Sequence, residues 1–175
     1  MSFSCQNFKT SFSRSTKFIC FDVDEHDEEK VHRLVDAVEA SGIDRDKIYV
    51  SSSGGKGFHV EVFFDCWVYN TVAENYYRLI IDQCGFDKRK IEFRPTRSQA
   101  IKVPLSVHPK TGNRCWYMDR ETLECIVDET YVLSIEKFSA DAFNAIVYRM
   151  NKEKWYADKA SANGEVEINN GKKVY

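Results

Sequence analysis

The sequence predicts an α+β fold, an antiparallel sheet with helices packed on one face. Three observations predict it. Apolar residues alternate over 19–23 and 58–64, the period of a half-buried strand. They recur at three- and four-residue spacing over 28–39 and 70–84, the period of a helix. The two kinds of segment follow one another in the order β-α-β-β-α-β.

Residues 1–16 are polar and serine-rich and read as a loosely packed leader. The first strand runs from Lys17 to Val23. The helix from Glu28 carries Val31, Leu34, Val35 and Val38 on one side, has acids in its first turn, and stops at Ser41-Gly42. A second strand, Ile48–Ser51, runs into Ser-Ser-Gly-Gly-Lys-Gly, a tight connection, and the third strand is Phe58–Phe64. A helix from Asn70 to Cys84 is closed by Gly85. The fourth strand is Lys90–Arg94. Beyond Pro95 the sheet is expected to continue through Ala100–Leu105, Cys115–Asp119 and Leu123–Val127. Pro104 confines the first of these to an edge or an end. A last helix is expected over Ser134–Met150, with Ile135, Phe138, Phe143, Ile146 and Val147 as its apolar set. Residues 1–150 then form one domain, and 151–175 read as a polar tail or linker stub.

A βαββαβ core with an added β segment and a C-terminal helix is ferredoxin-like, the arrangement shared with RNA-recognition modules. In that topology the first strand is central, flanked by the third and fourth. Alternation sends Ile19, Phe21, Val23, Phe58, Val60, Val62, Ile91 and Phe93 to the helices. The opposite face receives Asp22 and Asp24, then His59 and Glu61, then Glu92 and Arg94. Lys56–Phe63 partly resembles the third-strand signature of RNA-recognition modules. Their stacking positions, Phe58 and Val60, fall on the helix side here, so base stacking of that kind is not expected.

Composition narrows the classes. The chain has 175 residues, 43% apolar and 30% charged, as in a globular domain. It has no apolar run long enough to span a membrane and no secretory leader pattern, so a cytoplasmic location is expected. Six cysteines without a C-x-x-C pair read as reduced residues within apolar runs, not as a zinc module. The net charge of −2 hides a split. Ten acids face three bases over 22–46, and eight bases face one acid over 88–114. This is either one acidic helix and one basic loop, or a cation site beside an anion site.

Asp22 and Asp24 stand about 7 Å apart on one side of a strand. Two like charges so placed repel unless a cation sits between them. With Glu92 they suit Mg²⁺ or Mn²⁺, which take oxygen ligands; the plain alternative is a strand with a solvated polar face. Ser51, Ser53, Gly55 and Lys56 form a candidate phosphate cradle of small residues, hydroxyls and one charge. It lacks Walker spacing and also reads as an ordinary hairpin turn. His59, on the carboxylate side, is a candidate nucleotide contact. Lys102, His108, Lys110 and Arg114 surround a Pro-Leu-Ser-Val-His-Pro-Lys-Thr-Gly loop. They read either as a second anion contact or as a solvated basic loop.

In this order the motifs resemble those of the archaeo-eukaryotic primase superfamily, the primase-polymerases. Ile19-Cys-Phe-Asp22-Val-Asp24 is similar to its first motif. Ser53-Gly-Gly-Lys-Gly-Phe-His59 is similar to the second, and Ile91-Glu92 to the third. Ile101-Lys-Val-Pro-Leu-Ser-Val-His108-Pro-Lys-Thr-Gly112 is similar to a segment of plasmid-, phage- and transposon-borne members. The resemblance implies template-directed nucleotidyl transfer from NTPs or dNTPs, in mobile-element replication or repair. It implies two Mg²⁺ or Mn²⁺ ions on Asp22, Asp24 and Glu92. The triphosphate would lie against Ser51, Ser53, Gly55, Lys56, His59, Lys102 and His108. A single-stranded DNA template or primer-template would run along Arg94, Arg97, Lys110 and Arg114, with a helicase supplied by a separate chain. The sequence departs from the pattern at Lys102, where arginine is usual, at Gly57, where some members carry serine, and at Glu92, where aspartate is commoner. The alternatives are a metal-dependent nuclease-like domain and a non-catalytic nucleotide- or nucleic-acid-binding module.

Overall fold

The computed structural model describes residues 15–96, 99 and 101–169, the last eight as helical backbone only. Strands β1 (Ser15–Val23), β2 (Ile48–Ser52), β3 (Phe58–Tyr69), β4 (Ile91–Arg94), β5 (Tyr117–Met118) and β6 (Cys125–Ile126) form one sheet. Its order is β4-β1-β3-β2-β5-β6, and all its strand pairs are antiparallel. The first four strands stand in the ferredoxin-like order with β1 central. The helices are α1 (Glu28–Ala40), α2 (Asn70–Cys84) and α3 (Ala140–Asn169).

The core lies between the sheet and these helices. Ile19, Phe21 and Val23 of β1, Phe58, Val60, Val62 and Phe64 of β3, and Ile91 of β4 are all buried. They meet Val31, Leu34, Val35 and Val38 of α1 and Ala73, Tyr76, Leu79 and Ile80 of α2. Asp27 caps α1 by accepting the amide of Lys30 at 3.0 Å. Gly85 ends α2 with φ +66°, a conformation that suits glycine. Both helices follow the expected boundaries, α1 with its Asp27 cap and first-turn acids and α2 with its Gly85 stop.

Several segments differ from expectation: β3 runs past Phe64 to Tyr69, and the strands expected over Cys115–Asp119 and Leu123–Val127 shorten to Tyr117–Met118 and Cys125–Ile126. Residues 101–105 form a turn-containing loop, not a strand. Leu105 has φ +67°, which no strand accommodates, and Pro104 removes a ladder donor. The last helix begins at Ala140, not Ser134. Phe138 instead bridges β3, exchanging backbone hydrogen bonds with Phe63 and Asp65, and a 3₁₀ turn occupies Glu129–Ser134. The same helix runs on past Met150 to Asn169, with residues 151–161 exposed.

Cys20 and Cys115 are buried and Cys84 is half-buried, while Cys66 and Cys125 are exposed, outside the expected core. No helix among the described residues is long and apolar enough to cross a membrane.

Candidate active site

Strand register builds the site. Asp22 of β1 lies opposite His59 of β3 on one side and opposite Glu92 of β4 on the other. His59 in turn lies opposite Ser51 of β2, and Ser51 opposite Tyr117 of β5. Glu92, Asp22, His59, Ser51 and Tyr117 therefore form one row across five strands, on the face away from the helices. The next row down holds Arg94, Cys20, Glu61 and Tyr49. Asp24 follows the end of β1 and is exposed.

The carboxylates are held in different ways. Asp22 faces His59, with Oδ1 3.5 Å from Nε2, and its other oxygen is 3.4 Å from Nη2 of Arg94. The same guanidinium nitrogen pairs with Glu92. Arg94 is 8% exposed and spans the two acids. Its expected role as a surface contact for a nucleic-acid backbone is not the position it occupies. An arginine two residues from Glu92 on the same strand face reaches that acid before it reaches solvent. Burial pushes the Asp22 carboxyl up, but His59, Arg94 and Lys102 outweigh it and the net shift is downward. Asp24 is shifted upward, by desolvation and then by the repulsion of Asp22 and Glu92. A surplus of negative charge remains at the open end of the row, the condition a divalent cation relieves.

The turn between β2 and β3 is wound around Ser53, whose Oγ accepts the amides of Gly55 (3.3 Å) and Gly57 (3.0 Å). Ser51 is fully buried and donates to Glu61 at 3.1 Å, so its hydroxyl faces the sheet interior and not the cradle. Lys56 is exposed at the tip. A second loop packs on this turn. Thr111 Oγ1 (2.6 Å) and Asn113 Nδ2 (3.4 Å) both donate to the carbonyl of Gly54. Gly54 has φ +72°, and a Cβ there would meet the His108 Cβ at 2.8 Å. Nδ1 of His108 accepts the amides of Lys110 (3.2 Å) and Thr111 (3.1 Å), so Nε2 is left to carry the proton. That Nε2 would stand 3.7 Å from a Cβ at Gly55. Desolvation, then Lys102 and Lys110, hold the His108 pKa down. Lys102 donates to the Ser53 carbonyl at 3.3 Å.

Ser53, Gly55, His108 and Lys102 are thus brought together, with Asp22 within electrostatic reach of Lys102. Lys110 is exposed on the second loop. Arg114 pairs with Glu129 and lies 5.2 Å from the Trp116 ring centroid. Arg97 lies outside the described residues. A groove of about 500 Å³ opens beside Glu92, lined by Asn70, Thr71 and Glu74 of α2, Lys88, Arg94 and Thr96. Sequence reasoning placed Glu61 on this face but gave it no role in the site. Its place two residues after His59, on the same strand face, was the signal.

A ferredoxin-like sheet bearing carboxylates and a histidine across its central strands, with a glycine-rich turn beside them, defines a nucleotidyltransferase-like primase fold. The model of the archaeo-eukaryotic primase domain of TOTE conflict systems matches residues 7–146, and the chain belongs to that family. Among solved structures, the primase-polymerase domain of cyanophage S-2L is similar at 19% identity and a TM-score of 0.48. The alignment covers 77% of this chain and 61% of that one, so this chain spans about three fifths of its length. No curated protein matches the sequence.

Proposed function

We propose that the chain is a template-directed nucleotidyltransferase, a DNA primase, polymerase or both, adding NTPs or dNTPs against a single-stranded DNA template. The observation that carries this reading is the register-locked row Glu92–Asp22–His59, with Asp24 at its open end and the Ser53–Gly57 turn beside it. The donor set fits Mg²⁺ or Mn²⁺: three carboxylates, hard oxygen ligands, on adjacent strands, with mutual repulsion already raising Asp24. Asp22, Asp24 and Glu92 would hold two such ions. When bound, the ions activate a 3′-hydroxyl and neutralise the triphosphate in an in-line displacement.

The chain's own residues supply the rest. Arg94 holds Asp22 and Glu92 side by side. His59 orients Asp22. Lys102, Lys56 and the protonated Nε2 of His108 converge on the turn and are suited to the triphosphate oxygens. The groove beside Glu92 and Lys88 leads to the carboxylates along the edge of the sheet and is the place for the primer strand. Lys110 and Arg114 would lie along the template, and a helicase on a separate chain would expose it, in mobile-element replication or repair.

The test is incubation with Mg²⁺ or Mn²⁺, a single-stranded template and labelled nucleotides, with and without primer. Extension that disappears in the Asp22→Ala, Asp24→Ala double variant is expected. Shortening of the template instead identifies a nuclease. Nucleotide binding without turnover, lost in His59→Ala, identifies a sensor. Either of these results overturns the proposal.

A further inference from the structure

A second cluster of ligand-type side chains lies beneath the carboxylate row. Cys20, His59 and Glu61 each offer a donor atom, and these atoms all lie within 4.8 Å of one another. The three residues are 0%, 3% and 2% exposed. Strand register creates the group: Cys20 and Glu61 are cross-strand partners, and His59 precedes Glu61 by two residues on the same face. Asp22, Asp24 and Glu92 form no set this tight among the described residues.

The donors point to a ligand. Nδ1 of His59 is buried and has no hydrogen-bond partner. Buried imidazole nitrogens are ordinarily satisfied, so an orphan on a histidine clustered with a thiol and a carboxylate calls for an occupant. Its other nitrogen, Nε2, faces Asp22 at 3.5 Å. Metal-bound histidines characteristically carry a carboxylate on the second nitrogen, which fixes ring and tautomer. We propose that Cys20 Sγ, His59 Nδ1 and one Glu61 oxygen form a buried site for a borderline-soft divalent cation, Zn²⁺ being the best fit. It is separate from the site the open carboxylates would give Mg²⁺ or Mn²⁺.

Sulfur, imidazole nitrogen and one carboxylate are zinc ligands and poor magnesium ligands. The thiolate and carboxylate together balance the charge of a divalent ion in an interior that would not tolerate an excess. Binding exchanges the thiol proton for the metal. Ligand atoms in a tetrahedral zinc site stand roughly 3.5 Å apart, so closing the set needs only side-chain adjustment. Three protein ligands leave one position for a small molecule. The ion would also pin the His59 ring against Asp22, tying the order of the carboxylate row to a second metal of different chemistry.

Cobalt substitution tests this without reference to polymerase activity. The full chain, stripped with a chelator and titrated with Co²⁺, is expected to bind one equivalent at the buried site, apart from any held by the open carboxylates. A near-ultraviolet thiolate-to-cobalt band should appear with it. The band should vanish in Cys20→Ser and need at least tenfold more cobalt in Glu61→Gln. It should persist in Cys66→Ser and in Asp24→Asn, the latter having lost primer extension if the proposed function is right. A band that survives Cys20→Ser, or no retained cobalt, overturns the site. Should Cys20→Ser fail to fold, X-ray absorption of the zinc-loaded wild-type protein decides. One sulfur among nitrogen and oxygen ligands is expected; none, or two or more, overturns the assignment.

Discussion

A Cβ at position 57 would stand 2.2 Å from the carbonyl oxygen of Val23. The glycine-rich turn therefore passes directly under the end of β1, between Asp22 and Asp24. Glycine is required at 57 because nothing larger fits. In this chain the Cβ of a serine would by itself push the end of β1 aside. Gly57→Ser is expected to destabilise the protein by about 1–3 kcal/mol, the cost of forced overpacking. It should also weaken Mn²⁺ binding. Urea denaturation and Mn²⁺ titration of the variant check both.

Asp24 gives a pH signature. Its pKa is raised in the folded state, by burial and then by Asp22 and Glu92. Ionisation thus costs the folded state. The cost is absent below the unfolded carboxylate range, near pH 4, and grows as pH rises through the folded value. In metal-free protein at pH 7, Asp24→Asn should melt higher than wild type, by less than about 1 kcal/mol given solvent screening. The two should melt together below about pH 4. Saturating Mn²⁺ should reverse the order at pH 7. Calorimetric scans across pH, with and without the metal, check the sign.

Arg94 is the counter-ion shared by Asp22 and Glu92. Replacing it leaves Asp22 and Glu92 facing each other with no cation between them. Arg94→Gln should destabilise the metal-free protein by about 3 kcal/mol, the scale of breaking a buried pair. Mn²⁺ should restore more of the melting temperature in this variant than in wild type, because the ion no longer competes with a guanidinium. A melting series against Mn²⁺ concentration separates these effects.

His108 and Lys102 sit beside the turn without touching the carboxylates, so they should govern substrate binding more than chemistry. His108→Ala and Lys102→Ala are each expected to raise KM for the incoming nucleotide about tenfold, the loss of one charge-assisted contact. Changes in kcat should be smaller. Lys102→Arg should retain most binding. Steady-state extension at varied nucleotide concentration checks the split.

The polar face was legible in the sequence because strand alternation is rigid. Once β1, β3 and β4 were recognised, Asp22, His59 and Glu92 had to share a side, and the observed register makes them direct neighbours. Helix α2 was legible to both ends because Gly85 and its apolar stripe leave no alternative. What sequence hid was commitment. Ser51 reads as a member of the phosphate cradle, yet its buried hydroxyl is bound to Glu61. Arg94 reads as a surface charge, yet two acids draw it inward. The residues from Ile101 to Leu105 alternate like a strand, but a left-handed Leu105 and the pull of Lys102 toward Ser53 make them a loop. The contacts of Arg94 with Asp22 and of Lys102 with Ser53 join segments far apart in the chain, which local pattern does not encode.

The carbonyl of Gly54 accepts from both Thr111 and Asn113. The turn that follows β2 and the loop that carries His108 are therefore tied together here, as they also are by Lys102 on the Ser53 carbonyl. Amides at 55, 57, 110 and 111 are expected to open as one unit, with a common exchange free energy. On the proposed function, a triphosphate would enter and leave between walls that yield together, and the rate of that one opening would set an upper bound on turnover.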